Sequence, residues 1–144
     1  MVESTLLRHL ARGADPDWGR AAQPSCTLSG TSDAEVLTGT ADNDVICGGS
    51  GADLIRGRGG NDTLKGAGGA DILYGGLGKD MLRGGGGTDL WVGGRGADSL
   101  FGGDNTDVLD SKDGVSANDV LDCGPGIDVK ITDASEKSIV RCEL

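Results

Sequence analysis

The chain has 144 residues, 36% of them hydrophobic and only four of them aromatic, so its length suits one domain but its composition leaves an ordinary globular core thin. Thirteen basic against 23 acidic residues give a net charge of −10, which argues against nucleic acid as a partner, because such binders need a basic patch, and makes multivalent cations the natural counter-charge. Glycine supplies 28 residues without the every-third-position spacing of collagen, and no apolar run reaches the roughly 18 residues of a membrane span.

Residues 1–25 carry no repeat. Val2, Leu6, Leu7 and Leu10 fall on one face of a short helix that Gly13, Pro16 and Gly19 would stop, and residues 14–18 (ADPDW) read as linker. The stretch is therefore a leader or linker, or a short N-terminal cap helix. Glu3, Arg8 and Arg12 interrupt any apolar run of signal-peptide type, and His9, the sole histidine, reads as a surface residue on that helix.

From Gly48 a nine-residue period runs through seven units without a gap: GGSGADLIR, GRGGNDTLK, GAGGADILY, GGLGKDMLR, GGGGTDLWV, GGRGADSLF and GGDNTDVLD. The frame extends back to GTADNDVIC from Gly39 and GTSDAEVLT from Gly30. After a three-residue insertion, Ser111-Lys112-Asp113, it continues forward as GVSANDVLD and CGPGIDVKI, giving eleven units over residues 30–131. The sixth position is acidic in every unit: Glu35, Asp44, Asp53, Asp62, Asp71, Asp80, Asp89, Asp98, Asp107, Asp119 and Asp128. Removing those eleven charges from −10 leaves +1, so one phase of the repeat carries the whole imbalance. The eighth position is apolar in every unit but the last, where Lys130 stands. The fourth is Gly, Asn or Asp everywhere except Ala117, and those are the residue types that tolerate left-handed backbone angles.

Each unit thus divides into a six-residue turn and a three-residue strand whose middle side chain points inward. Strands this short need neighbours. Two units on opposite sides of a flattened coil make one 18-residue turn, and each unit stacks on the one two further along. At a strand spacing of about 4.8 Å, successive sixth-position carboxylates would repel by about 1 kcal/mol in water and about 3.5 kcal/mol at an effective dielectric of 20. A hard cation between them reverses that sign. Calcium, which takes six to eight oxygens at adaptable angles, suits carboxylates plus the exposed carbonyls of a glycine turn better than magnesium does. Binding and folding should then be coupled, because the ligands meet only once the turns have stacked.

These units, above all GGSGADLIR, GGLGKDMLR and GGRGADSLF, resemble the GGxGxDxUx nonapeptide of the repeats-in-toxin (RTX) family. The resemblance implies an all-β fold, a parallel β-roll or right-handed β-solenoid with two nonapeptides per turn, that binds several Ca2+ ions. It carries the ligand role onto Asp53, Asp62, Asp71, Asp80, Asp89, Asp98 and Asp107, with Asp44, Asp119 and Asp128 as further candidates in outer units that depart from the motif, as Glu35 does with its longer side chain. The tail NDVLDCGPGIDVKITDASEKSIVRCE is similar to the ending of many bacterial secreted proteins of the family, in which a cysteine-closed cap follows the last regular turn. The implied organisation is a leader or cap helix over 1–25, a calcium-binding roll over 26–131 and a C-terminal cap over 132–144.

Four cysteines without a CxxC pair do not suggest zinc. Cys26 and Cys47 lie 21 residues apart and Cys123 and Cys142 lie 19 apart, each close to one 18-residue turn, so the pairing 26–47 and 123–142 is the one chosen among three. Four free thiols in a cytosolic protein is the competing reading. Disulfides and calcium together point to a secreted, extracellular location.

For catalysis no Ser, Cys or Lys has an activating partner and the acids are committed to metal, so no enzyme is expected. A flat face for ice or carbohydrate would need a regular outward array of Thr or aromatics, which the mixed seventh and ninth positions lack. Trp91 falls on an inward position, as a larger core residue, whereas Tyr74 and Phe101 fall on outward ninth positions. The expectation is a calcium-binding structural module that folds on calcium. An adhesion, partner- or carbohydrate-binding surface and an accessory domain of a secreted enzyme are the alternatives.

Overall fold

A computed structural model describes residues 25–112, 119–132, 138–140 and 142. Each of the eleven nonapeptides gives rise to one strand, β2 to β12, and one more strand lies before and one after them: β1 (Leu28–Ser29), β2 (Val36–Thr38), β3 (Val45–Ser50), β4 (Leu54–Gly59), β5 (Thr63–Gly68), β6 (Ile72–Leu77), β7 (Met81–Gly86), β8 (Leu90–Arg95), β9 (Ser99–Asp104), β10 (Val108–Asp110), β11 (Val120–Asp122), β12 (Val129–Ile131) and β13 (Ser138–Val140). The odd strands form one seven-stranded sheet and the even strands one six-stranded sheet, with parallel pairing throughout. The described residues are all-β and contain no helix, and hence none long and apolar enough to cross a membrane.

The register follows the repeat. Val45 pairs with Thr63 and Ile72 with Leu90, each 18 residues on. Across the insertion at Ser111 the step becomes 21, with Ser99 on Val120 and Val108 on Val129, and it returns to 18 where Val120 meets Ser138. Three extra residues are therefore absorbed in one turn without shifting the inward phase. The last strand, β13, places part of the expected cap in the same sheet, as one more parallel rung.

The strands differ in length from the three residues expected. β2 and β10–β12 have three, but β3–β9 run for six, from the seventh position into the third of the next unit. In all seven the ladder continues through a first-position glycine and a left-handed second position, whether that second residue is Gly, Arg58 or Ala67, as with Gly49 on Ala67 and Gly76 on Gly94. A Cβ at Gly69 would collide with the carbonyl of Gly51 in the stacked turn. The fourth positions from Gly51 to Gly96 and Asn105 do take positive φ, and so do the second positions from Gly49 to Gly103, including the non-glycines Arg58 and Ala67. Asp33 and Asp42 do not, a departure from the expected left-handed fourth position, and their hydrogen bonding supplies the reason below. Ala117, residues 1–24 with the helix or linker assigned to them, and most of the tail beyond residue 132 lie outside the described residues.

The core is one column of eighth-position side chains between the two sheets: Leu37, Ile46, Ile55, Leu64, Leu73, Leu82, Trp91, Leu100, Leu109 and Leu121, none more than 1% exposed. Leu28 extends it one unit before Gly30. Lys130 is exposed, because β12 is the end strand of its sheet and no further strand stacks on it among the described residues. Trp91 is fully buried, as expected of a core residue, and fits because Gly84 has no side chain: a Cβ there would overlap its ring. Disulfides join Cys26 to Cys47 and Cys123 to Cys142, with Cα separations of 5.9 and 4.9 Å, in the pairing expected. Each ties together the two outermost described strands at one end of the seven-stranded sheet.

Candidate metal centre

The sixth position stands immediately before each strand, so stacking sets its acids in two rows along opposite edges of the roll. Glu35, Asp53, Asp71, Asp89, Asp107 and Asp128 precede even strands; Asp44, Asp62, Asp80, Asp98 and Asp119 precede odd ones. From Asp53 to Asp128 these carboxylates are at most 5% exposed. Buried carboxylates require partners, and each has one in common. Its Oδ1 accepts the backbone N–H of the sixth residue in the preceding stacked turn: Asp71 from Asp53 at 2.8 Å, Asp80 from Asp62 at 2.8 Å, Asp89 from Asp71 at 2.7 Å, Asp119 from Asp98 at 2.8 Å and Asp128 from Asp107 at 2.8 Å.

The second oxygen is different. Oδ2 of Asp53, Asp62, Asp71, Asp80, Asp89, Asp107 and Asp128 is buried without a hydrogen-bond donor. An unpaired buried carboxylate oxygen is costly, so its repetition at one phase calls for a cationic partner. The first-position glycine beside it enlarges the opening: a Cβ on Gly48 would lie 2.5 Å from Oδ2 of Asp53 and 2.9 Å from the carbonyl oxygen of Gly66. Carboxylate and carbonyl oxygens thus line the same small space. No three His, Cys, Asp or Glu side chains converge among the described residues, so a cation there would draw much of its shell from backbone oxygens. A hard oxygen-seeking ion of adaptable geometry fits such a donor set.

Electrostatics point the same way. Burial pushes the Asp80 carboxyl up to about 7 and those of Asp71 and Asp107 to about 6. The backbone N–H on each carboxylate opposes the rise and the stacked carboxylates add to it. Asp53, Asp62 and Asp89 are raised as well, again mainly by burial.

This repeated, donor-less carboxylate beside a glycine turn matches a known sequence signature: the RTX calcium-binding nonapeptide repeat (4 copies) matches residues 29–64, 48–82, 56–90 and 83–116, together more than half of the chain. The chain belongs to the RTX calcium-binding nonapeptide repeat family. Among curated proteins, none matches it closely enough to count as a relative. Membership of the RTX family implies Ca2+ binding, and the open oxygens fit that ion.

Not all candidate ligands are equivalent in this RTX roll. Asp98 and Asp119 have the same burial and the same Oδ1 hydrogen bond, and Asp53, Asp62, Asp71, Asp80, Asp89 and Asp107 share the donor-less setting in full, with Asp128, one of the further candidates. Asp44 does not. Its Oδ1 faces the Thr27 hydroxyl at 3.3 Å, while its Oδ2 accepts the Thr40 N–H at 2.7 Å and the Thr40 hydroxyl at 2.9 Å. Glu35 likewise accepts the Thr31 N–H at 2.6 Å. Threonine at the second position is responsible. Its hydroxyl also accepts the N–H two residues on, from Asp33 or Asp42, which closes the turn without the left-handed angles of the glycine units. The GT opening of these two units, against GG or Gly plus a left-handed residue in the seven units from Gly48 to Asp110, was the sequence signal for this difference.

Proposed function

We propose that the chain is a calcium-gated structural module of an extracellular protein, with no catalytic role, in which Asp53, Asp62, Asp71, Asp80, Asp89, Asp98, Asp107, Asp119 and Asp128 and the adjoining turn carbonyls hold calcium ions and the ions drive the turns to stack. The observation that carries this reading is the row of buried Oδ2 atoms without donors, from Asp53 through Asp89 and at Asp107 and Asp128. Calcium, when bound, supplies two positive charges to each such gap and replaces carboxylate repulsion by attraction. The chain's own part is to hold each Oδ1 on a backbone N–H so that Oδ2 faces the glycine turn. Both disulfides and the family support an oxidising, calcium-rich setting.

Affinity in that setting should fall at roughly 0.1 to 1 mM, the range of extracellular calcium modules. Circular dichroism across a calcium titration tests the proposal. Chelated protein should be largely disordered, and millimolar calcium should restore strand structure cooperatively, with a change in tryptophan emission as Trp91 is enclosed. A chelated spectrum identical to the calcium-loaded one would refute folding on calcium.

A further inference from the structure

The two outer faces of the roll are not alike. On the six-stranded sheet the seventh positions stack as Val36, Leu54, Ile72, Leu90, Val108 and Val129, each in register with the next, an unbroken aliphatic column. On the other sheet the same positions alternate with polar residues, as Thr63 and Ser99 flank Met81. Val36, Ile72 and Val129 are exposed, at 55, 37 and 51%. A contiguous apolar patch of this kind marks a contact surface.

The neighbouring column identifies the occupant. Its ninth positions read Thr38, Arg56, Tyr74, Val92, Asp110 and Ile131 across the same six strands. The centre of the sheet lies between β6 and β8. Arg56, on β4, and Asp110, on β10, stand at equal distances on either side of it. A two-fold axis lying in the face and parallel to the strands keeps each column opposite itself while reversing the order of strands. It sets Arg56 of one copy against Asp110 of the other, twice, Tyr74 against Val92, and the aliphatic column against itself. An axis along the stack would instead place the aliphatic column against Arg56 and Asp110.

We propose that the outer face of the six-stranded sheet binds a second copy of the same chain, as an antiparallel, isologous dimer centred between β6 and β8. Six strands at about 4.8 Å spacing make the face about 24 Å long. A face of that length and only three residues wide falls in the small, transient class of interfaces, below about 1,200 Å2 in total. The dimer is therefore weak and concentration-dependent.

Sedimentation equilibrium of the full chain in saturating calcium, up to several hundred micromolar, tests it, with circular dichroism confirming that each variant remains rolled. The wild type should reach a monomer–dimer equilibrium. Arg56→Asp and Asp110→Arg should each weaken it about tenfold or more, since each places like charges face to face. The double exchange restores opposite charges and should return association to within a few-fold of wild type, a recovery that loss of packing alone would not produce. Ile72→Lys, at the centre of the aliphatic column, should leave a monomer. A monomeric wild type, or a double exchange no better than the single reversals, would overturn the proposal.

Discussion

Asp71 combines the roles of its row in one side chain. Its Oδ1 accepts the N–H of Asp53, its own N–H donates to Asp89, and its Oδ2 is buried without a donor. Asp71→Asn keeps an oxygen for the Asp53 N–H and removes the charge, so the variant should respond oppositely in two conditions. With calcium it should bind more weakly in the stacks on either side, by roughly tenfold or more, as loss of a group that supports a metal commonly does. Without calcium it relieves a buried unpaired oxygen, worth about 1–3 kcal/mol. Less of a stabilising osmolyte should then be needed to induce strand structure in chelator. Calorimetry and osmolyte titration read the two arms. Unchanged calcium affinity would remove Asp71 from the ligand set.

Among elements, the first turn is built differently from those it precedes. Thr31 and Thr40 close it with hydroxyl and amide hydrogen bonds, and the Cys26–Cys47 disulfide ties its strand to the edge of the sheet. It satisfies its acids without a metal. In chelator, hydrogen exchange should therefore be slowest between residues 26 and 56, and Thr40→Gly should remove that residual protection while leaving the calcium-loaded spectrum unchanged. Wild type in chelator with protection lost evenly along the chain would contradict this. The sequence displayed the strand period, the inward column and the acid row, because one residue type recurs at one phase of nine. It hid what depends on the period of eighteen. Outward residues taken in chain order look mixed, and only when every second unit is compared does the aliphatic column from Val36 to Val129 separate from the polar positions Thr63 and Ser99. The six-residue strands were hidden for a related reason: their second half is glycine-rich backbone paired with the stacked turn, which a count of strand-forming side chains does not register. Leu28, nine residues before Leu37, was within reach of the frame but its unit has Cys26 where the acid should be.

At the scale of the whole molecule the roll is a stack whose core is one side chain thick and whose two edges are rows of buried acid, so its stability should depend on whatever neutralises those edges. Protons can do this as well as calcium, and the direction follows from the raised pKa values. In the metal-free roll Asp80 titrates near 7 and Asp71 and Asp107 near 6, against an ordinary value of 3.8 that the unfolded chain retains. The folded state then binds protons more tightly than the unfolded state. The stabilisation is complete below the ordinary value and is lost as pH rises through about 6 to 7. Chelated protein should accordingly gain strand structure as pH falls from 8 toward 4.5. In calcium the order inverts, because protons compete with the ion for the same oxygens, and acid should raise the calcium concentration needed for folding. Circular dichroism against pH, with and without chelator, distinguishes the two regimes. A chelated chain that stays disordered throughout the acid range would mean that neutralising the acid rows is not sufficient for stacking, and that calcium acts by bridging the turns rather than by removing their charge.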